Sequence, residues 1–187
     1  MATRISFSTH YPDRMGGKAG KKTYFPEKIL AGMGHHDIWG KYSLYQFESN
    51  LNGYYNLQHG VVHGEDYKTT TIRKNYDYWK SKEGKMIQPF IWAGKPRRSK
   101  HIVFCPPVLL KKVEFIRVLY MEGLNVYTGD QKGDEMPFFI DDEITGGKYG
   151  VNDMALLSQS EGFDSTEDFF RWFDQDFDGA LLKFGEE

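Results

Sequence analysis

The chain has one cysteine, Cys105, in 187 residues. A lone thiol can neither close an internal disulfide nor build a thiolate metal site. That points to a reducing interior, with Cys105 as a buried strand residue. Also missing is any apolar run of about eighteen residues, so no segment reads as a membrane-spanning helix. The opening Met1-Ala2-Thr3-Arg4-Ile5 has no apolar core of the kind a secretory signal requires. A cytoplasmic protein with no membrane partner is the expectation. A 40% hydrophobic and 16% aromatic composition excludes general disorder and leaves enough apolar material for a core.

Acidic residues are scarce in the first part of the chain and basic ones in the last. Residues 1–129 hold 20 Lys and Arg against 10 Asp and Glu, a formal +10. Residues 130–187 hold 4 against 16, a formal −12. Such asymmetry suggests a basic surface for an anionic partner, with an acidic segment elsewhere. The cations cluster at Arg14, Lys18, Lys21, Lys22 and Lys28, and again in Gly94-Lys95-Pro96-Arg97-Arg98-Ser99-Lys100. The second cluster reads as a loop presenting Lys95, Arg97, Arg98 and Lys100, either to phosphate or to solvent alone. A pI near 6.3 argues against tight, nonspecific binding to long duplexes.

The most informative stretch is Lys68-Thr69-Thr70-Thr71-Ile72-Arg73. Its β-branched residues favour an extended strand. Alternation puts Thr69, Thr71 and Arg73 on one face and Lys68, Thr70 and Ile72 on the other. Lys68 can meet Thr71 only from a turn just before the strand. An amine and a hydroxyl would then converge, with the Arg73 guanidinium beside the hydroxyl, on a carbonyl, a phosphate or a polar base edge. The alternative is an exposed edge strand. Glu65 and Asp66, just before Lys68, would stabilise its charge.

Strands are expected over Arg4–Ser8, Ile87–Trp92 with Pro89 at an edge or bulge, and His101–Cys105. One or two more are expected within Val108–Tyr120, another through Phe138–Ile140 in the otherwise loop-rich 122–148, and a last over Ala180–Phe184. Residues 10–22 read as a loop. Thr23 is positioned to cap a short helix ended by Gly32. Asn152 or Asp153 caps a second over Met154, Leu156 and Leu157. Asp164, with Glu167 three residues on, has capping-box form for a third carrying Phe169, Phe170, Trp172 and Phe173.

Residues 33–67 lack periodicity and read as an insertion in a single domain spanning 1–187. The spacing of His59 and His63 would suit a metal on a helix, but Gly60, Val61 and Val62 are poor helix formers. Those two, with His35 and His36, are read as loop histidines. Asp174, Asp176, Asp178 and Gly179 open like a calcium loop, yet Gly185 stands where the bidentate glutamate belongs. No metal and no cofactor is expected. Tyr76, Tyr78 and Trp79, among Lys80 and Lys82, form a short aromatic helix or turn that would either stack bases or join the core.

Short strands around two or three short helices, without βαβ rhythm, indicate an α+β fold with a mostly antiparallel sheet or small barrel. Three motifs occur in order: Tyr24-Phe25-x-Glu27-Lys28-Ile29-Leu30-x-Gly32, then Lys68-Thr69-x-Thr71-Ile72-Arg73, then Glu161-Gly162-Phe163-x-Ser165-x-Glu167-Asp168-Phe169. This succession resembles the ASCH domain family of the PUA-like β-barrel superfamily. Trp79-Lys80, the 94–100 segment, Phe169-x-x-Trp172-Phe173 and Asp178-Gly179-Ala180 resemble a branch found in phage and bacterial genomes. The resemblance implies a PUA-like, mostly antiparallel small β-barrel whose cleft accepts a nucleobase, a nucleoside or single-stranded RNA.

Two functions follow as expectations. One is a module binding RNA or a modified nucleoside, with Lys68, Arg73 and the cluster Lys95, Arg97, Arg98 and Lys100 as contacts and Tyr76 or Trp79 stacking. The other is an amidohydrolase removing an acyl group from an acetylated cytidine-type nucleoside. For that activity the resemblance assigns Lys68 as base, Thr71 as nucleophile and Glu161 as acid.

Overall fold

The computed structural model describes residues 2–34, 68–120, 124–142 and 147–184. The 35–67 part of the expected insertion, with His35, His36, His59, His63, Glu65 and Asp66, lies outside them.

The fold is α+β. Its strands are β1 (Thr3–Ser6), β2 (Thr70–Arg73), β3 (Met86–Trp92), β4 (His101–Val103), β5 (Val108–Leu109), β6 (Lys112–Leu119), β7 (Asn125–Gly129), β8 (Met136–Asp142), β9 (Gly147–Tyr149) and β10 (Phe177–Lys183). The helices are α1 (Phe25–Gly34), α2 (Tyr76–Lys80), α3 (Val151–Ser160) and α4 (Thr166–Trp172), with a 3-10 segment at Asp13–Lys18. Among the described residues none of these helices is long and apolar enough to cross a membrane.

Two sheets result. The smaller runs β1-β3-β4, with β5 also on β3, and its β1–β3 pair is parallel. The larger runs β2-β10-β6-β7-β8-β9 and is antiparallel throughout. Among the described residues the ladders do not close into a barrel. Strand β10 explains the layering. Its Ala180 and Leu182 face a core shared with Ile87 and Ile91 of the smaller sheet, whereas Leu181 faces Met154 of α3 and Phe169 of α4. Apolar residues on both faces make Ala180-Leu181-Leu182 a continuous run, as a strand buried between two layers requires. The order is therefore smaller sheet, larger sheet, then α3 and α4, while Ile29 and Leu30 of α1 and Trp79 of α2 join the core shared by the sheets.

Several boundaries differ from expectation for local reasons. Helix α1 continues to Gly34, past Gly32. The cap of α4 is Ser165, whose hydroxyl accepts the Asp168 N–H, rather than Asp164. Asp164 instead turns its carboxylate to Lys18 and Lys28. Gly150, not Asn152 or Asp153, precedes α3, at the left-handed φ of 69° that favours glycine. As expected for a bulge, Pro89 lies at a register irregularity, where two residues of β3 (88 and 89) face four of the partner segment (104–107). It pairs with Ile5 on one side, and on the other falls between the end of the β4 ladder at Phe90 and the start of the β5 ladder at Ile87. A missing N–H costs little in that gap. The glycine-rich 122–148 segment contributes β7, β8 and part of β9: among its described glycines, Gly129 ends β7, Gly147 opens β9 and Gly133 lies in the turn between β7 and β8. Cys105 is buried just beyond β4, and burial raises its thiol pKa.

Candidate functional site: a cleft over a buried lysine–glutamate pair

The site begins with the end of helix α3. Its last turn delivers Glu161, and Gly162 follows at φ 84°. A Cβ on Gly162 would sit 3.1 Å from the Phe25 ring and 3.3 Å from Cδ of Lys68. Glycine thus supplies both the left-handed backbone and the room for Phe25 and Lys68 to close in. From the other direction, Lys68 stands two residues before β2, outside its ladder. Its N–H donates to the Lys28 carbonyl (3.1 Å), and the Thr69 N–H donates to the Ser160 carbonyl (3.0 Å). Helix α1, the start of β2 and the end of α3 are in this way laced together by backbone bonds.

The side chains complete the junction. Nζ of Lys68 donates to Oε2 of Glu161 at 3.0 Å and to the Glu161 carbonyl oxygen. The other carboxylate oxygen, Oε1, accepts the Thr70 hydroxyl at 2.7 Å. Lys68 and Glu161 are only 2% and 3% exposed. The ammonium also lies 4.7 Å from the centre of the Phe25 ring. Behind the pair, buried Lys28 donates to the Gly162 carbonyl (2.9 Å) and to Asp164 (3.1 Å). It fixes Gly162, the residue that follows Glu161, in place.

Burial pushes the Lys68 pKa down to about 8; Glu161 opposes this, while Arg73 and Lys28 assist it. Burial likewise lowers Arg73, to about 10, with Glu161 opposing. The Arg73 guanidinium donates to the Ser6 carbonyl (2.7 Å) and the Ile72 carbonyl (3.2 Å) and lies 5.1 Å from the Phe7 ring centre. No carboxylate pairs with it among the described residues.

These groups open onto a cleft of about 530 Å³ lined by Lys68, Thr71, Arg73 and Glu161. Its size is that of a pocket for a small organic ligand. Phe25, Phe163 and Trp172 form one aromatic wall, with mutual ring separations of 5.5 to 5.6 Å. Trp92, Gly94 and Pro96 reach the cleft from the turn between β3 and β4. The expected base, nucleophile and acid, far apart in the chain, therefore border one cavity with a polar floor and aromatic sides. Thr71 is buried beside them, and its hydroxyl bonds to no other described protein group.

No family model, curated protein or solved structure matches this chain.

The remaining expected contacts divide. Lys95, Arg97, Arg98 and Lys100 are exposed on the hairpin tip whose Gly94 and Pro96 line the mouth. Tyr76 and Trp79 do not reach the cleft. Trp79 is 8% exposed within the core between the sheets, and Tyr76 packs edge-on against Phe115 with its hydroxyl on the Asp130 carbonyl. Helix α2 turns its aromatic face inward, so these two belong to the core. Sequence reasoning missed Thr70, Lys28 and the aromatic wall. Parity was the available signal for Thr70, which shares a face with Lys68 and so meets the same carboxylate. Phe25, Lys28 and Phe163 lie within the quoted motifs but had no assigned role.

Asp174, Asp176 and Asp178 do not converge on one point. Asp176 accepts the Tyr120 N–H, Asp178 pairs with Arg117, and Asp174 faces Arg14 at 3.7 Å. No group of three metal-ligating side chains occurs among the described residues.

Proposed function

We propose that the protein is an ASCH-like, PUA-like module whose cleft binds a modified nucleoside, free or presented by RNA. The observation that carries this reading is the composition of one cavity: Lys68, Arg73, Thr71 and Glu161 at its floor, with Phe25, Phe163 and Trp172 along its side. A nucleobase needs an apolar or aromatic surface for its faces and donors and acceptors for its edge, and this cleft supplies both. The α+β architecture and the mainly antiparallel ladders are compatible with the PUA-like reading. Titration with N4-acetylcytidine, read by tryptophan fluorescence because Trp92 and Trp172 line the cleft, tests it. Saturable quenching that weakens at least about tenfold in Arg73→Met is expected, from the loss of a charged hydrogen-bond donor. Quenching absent, or untouched by that substitution, contradicts it.

A second reading, an amidohydrolase acting on an acetylated cytidine-type nucleoside, is favoured by the Lys68–Glu161 contact. Moving one proton from Nζ to Oε2 turns an ammonium–carboxylate pair into a neutral amine and a neutral acid. These are the forms that a base and a proton donor require. Lys68 would take the Thr71 hydroxyl proton as Oγ1 attacks the amide carbon. Glu161 would protonate the departing amine as the C–N bond breaks, and water would then release the acyl group from Thr71. Release of acetate and cytidine by the wild type, abolished in Thr71→Ala with nucleoside binding retained, is the expected result. Binding without turnover leaves the binding module as the function.

A further inference from the structure

The two lips of the cleft carry opposite charge. One is the β3–β4 hairpin tip. It closes with Trp92 opposite His101, their rings 4.2 Å apart, and with the Ala93 N–H on the Lys100 carbonyl. Between these, Lys95, Arg97 and Arg98 project into solvent, and among the described residues none of the three has an ion-pair partner. The tip is held in shape by Ser99, whose hydroxyl accepts the Gly94 N–H and donates to the Lys95 carbonyl. The other lip follows Phe173, which lines the cleft, and continues into exposed Asp174 and Asp176; Arg14 faces Asp174 at 3.7 Å, so these three groups together carry a formal charge of −1. Between the lips the floor carries Arg73, while the charges of Lys68 and Glu161 offset each other.

We infer that the cleft takes a nucleoside monophosphate, its phosphate held at the hairpin tip by Lys95 and Arg98. The inference rests on the nucleoside reading above and specifies its ligand class. Three cations within four positions, without an ion-pair partner among the described residues, match one phosphate group, because a guanidinium and an ammonium together supply charge and several N–H donors. A single nucleotide leaves the acidic lip untouched. A strand of RNA crossing the cleft would carry further phosphates toward Asp174 and Asp176, where like charges repel. The free nucleotide is therefore the favoured source of the phosphate.

The test compares three ligands on the full chain at low and at physiological salt: N4-acetylcytidine, its 5′-monophosphate, and a six-nucleotide single strand containing that base. Tryptophan fluorescence is recorded with wild type and with the Lys95→Ala/Arg98→Ala double substitution. Arg97 is left in place because its φ of 62° makes replacement a backbone perturbation as well. The monophosphate is expected to bind at least about tenfold tighter than the nucleoside, as charged hydrogen bonds to one phosphate would give. That preference should shrink with salt and vanish in the double substitution, which should keep the wild-type affinity for the nucleoside. Equal affinity for nucleoside and monophosphate overturns the inference while sparing the reading beneath it, and so does a preference that survives the double substitution. A hexanucleotide bound tenfold tighter than the monophosphate overturns the choice of a free nucleotide. Failure of all three ligands to bind sinks both proposals. An unchanged melting temperature of the double substitution excludes misfolding as the cause of a lost preference.

Discussion

The floor and the mouth of the cleft use cations in opposite ways. At the floor, Lys68 is 2% exposed and its charge is met by Glu161, by a backbone carbonyl and by an aromatic face. At the mouth, Lys95, Arg97 and Arg98 are exposed and have no ion-pair partner among the described residues. Burial makes the first sensitive to its neighbours, because a desolvated charge stripped of its partner is costly. Solvent makes the second nearly neutral for folding and leaves it available to a ligand. Stability and recognition should therefore separate along the depth of this one cavity.

The strongest way to break that contrast is to remove one member of the buried pair. Glu161→Gln leaves the Lys68 ammonium without a carboxylate, and a loss of about 3–5 kcal/mol in denaturant unfolding is expected. The matching change at the mouth, Arg98→Ala, should stay within about 0.5 kcal/mol of wild type. Comparable losses at the two sites would dissolve the distinction.

Two adjacent threonines sharpen it. Thr70 donates to Glu161 at 2.7 Å, whereas Thr71 faces the cleft with no described partner. Thr70→Val should cost about 1–3 kcal/mol by leaving a buried carboxylate oxygen short of a donor. Thr71→Ala should cost less in stability than Thr70→Val and, on the hydrolase reading, remove turnover. Urea melts of both proteins, set beside acetate release, decide whether the roles divide this way.

A smaller effect is expected in the pH dependence of stability. The folded-state pKa of Lys68, about 8, lies below its ordinary value of 10.5. Below pH 8 the lysine is protonated in both states, and the cost of burying its charge is fully present. Between about 8 and 10.5 the unfolded chain binds more protons than the folded one, so stability contributed by this group rises with pH. The Cys105 thiol, raised by burial above its ordinary 9.0, acts in the opposite sense once the unfolded thiol ionises. The clean window is thus pH 8 to 9. Unfolding curves there should show wild type gaining stability relative to Lys68→Met, and a constant difference would contradict a depressed lysine.

Much of this cavity was readable from residue order alone. The expectation that the Lys68 amine and the Thr71 hydroxyl meet holds to the extent that both residues line one cleft. The helix preceding Glu161 followed from the apolar spacing of Met154 and Leu157. The layering was less legible. Which of Trp79 and Trp92 meets the core or the cleft depends on how α2 and β3 pack, and both are aromatic residues near lysines in the sequence. Strands β7 and β9 were hidden because glycines at their ends resemble loop glycines when the partners across the sheet are unknown, whereas Phe138–Ile140 marked the middle of β8. Thr70 was passed over in favour of Thr71 because a motif ranks the nucleophile above the residue that holds the carboxylate.

The central claim is that a buried lysine, paired with a glutamate, looks directly onto a bound nucleoside. It is tested most directly by NMR of protein carrying 13C at the lysine ε carbons, titrated with N4-acetylcytidine. The Lys68 resonance, assigned by its loss in Lys68→Met, should shift in step with saturation while that of Lys82, which does not line the cleft, stays fixed. Saturable binding that leaves the Lys68 signal unmoved would place the ligand elsewhere and contradict the account.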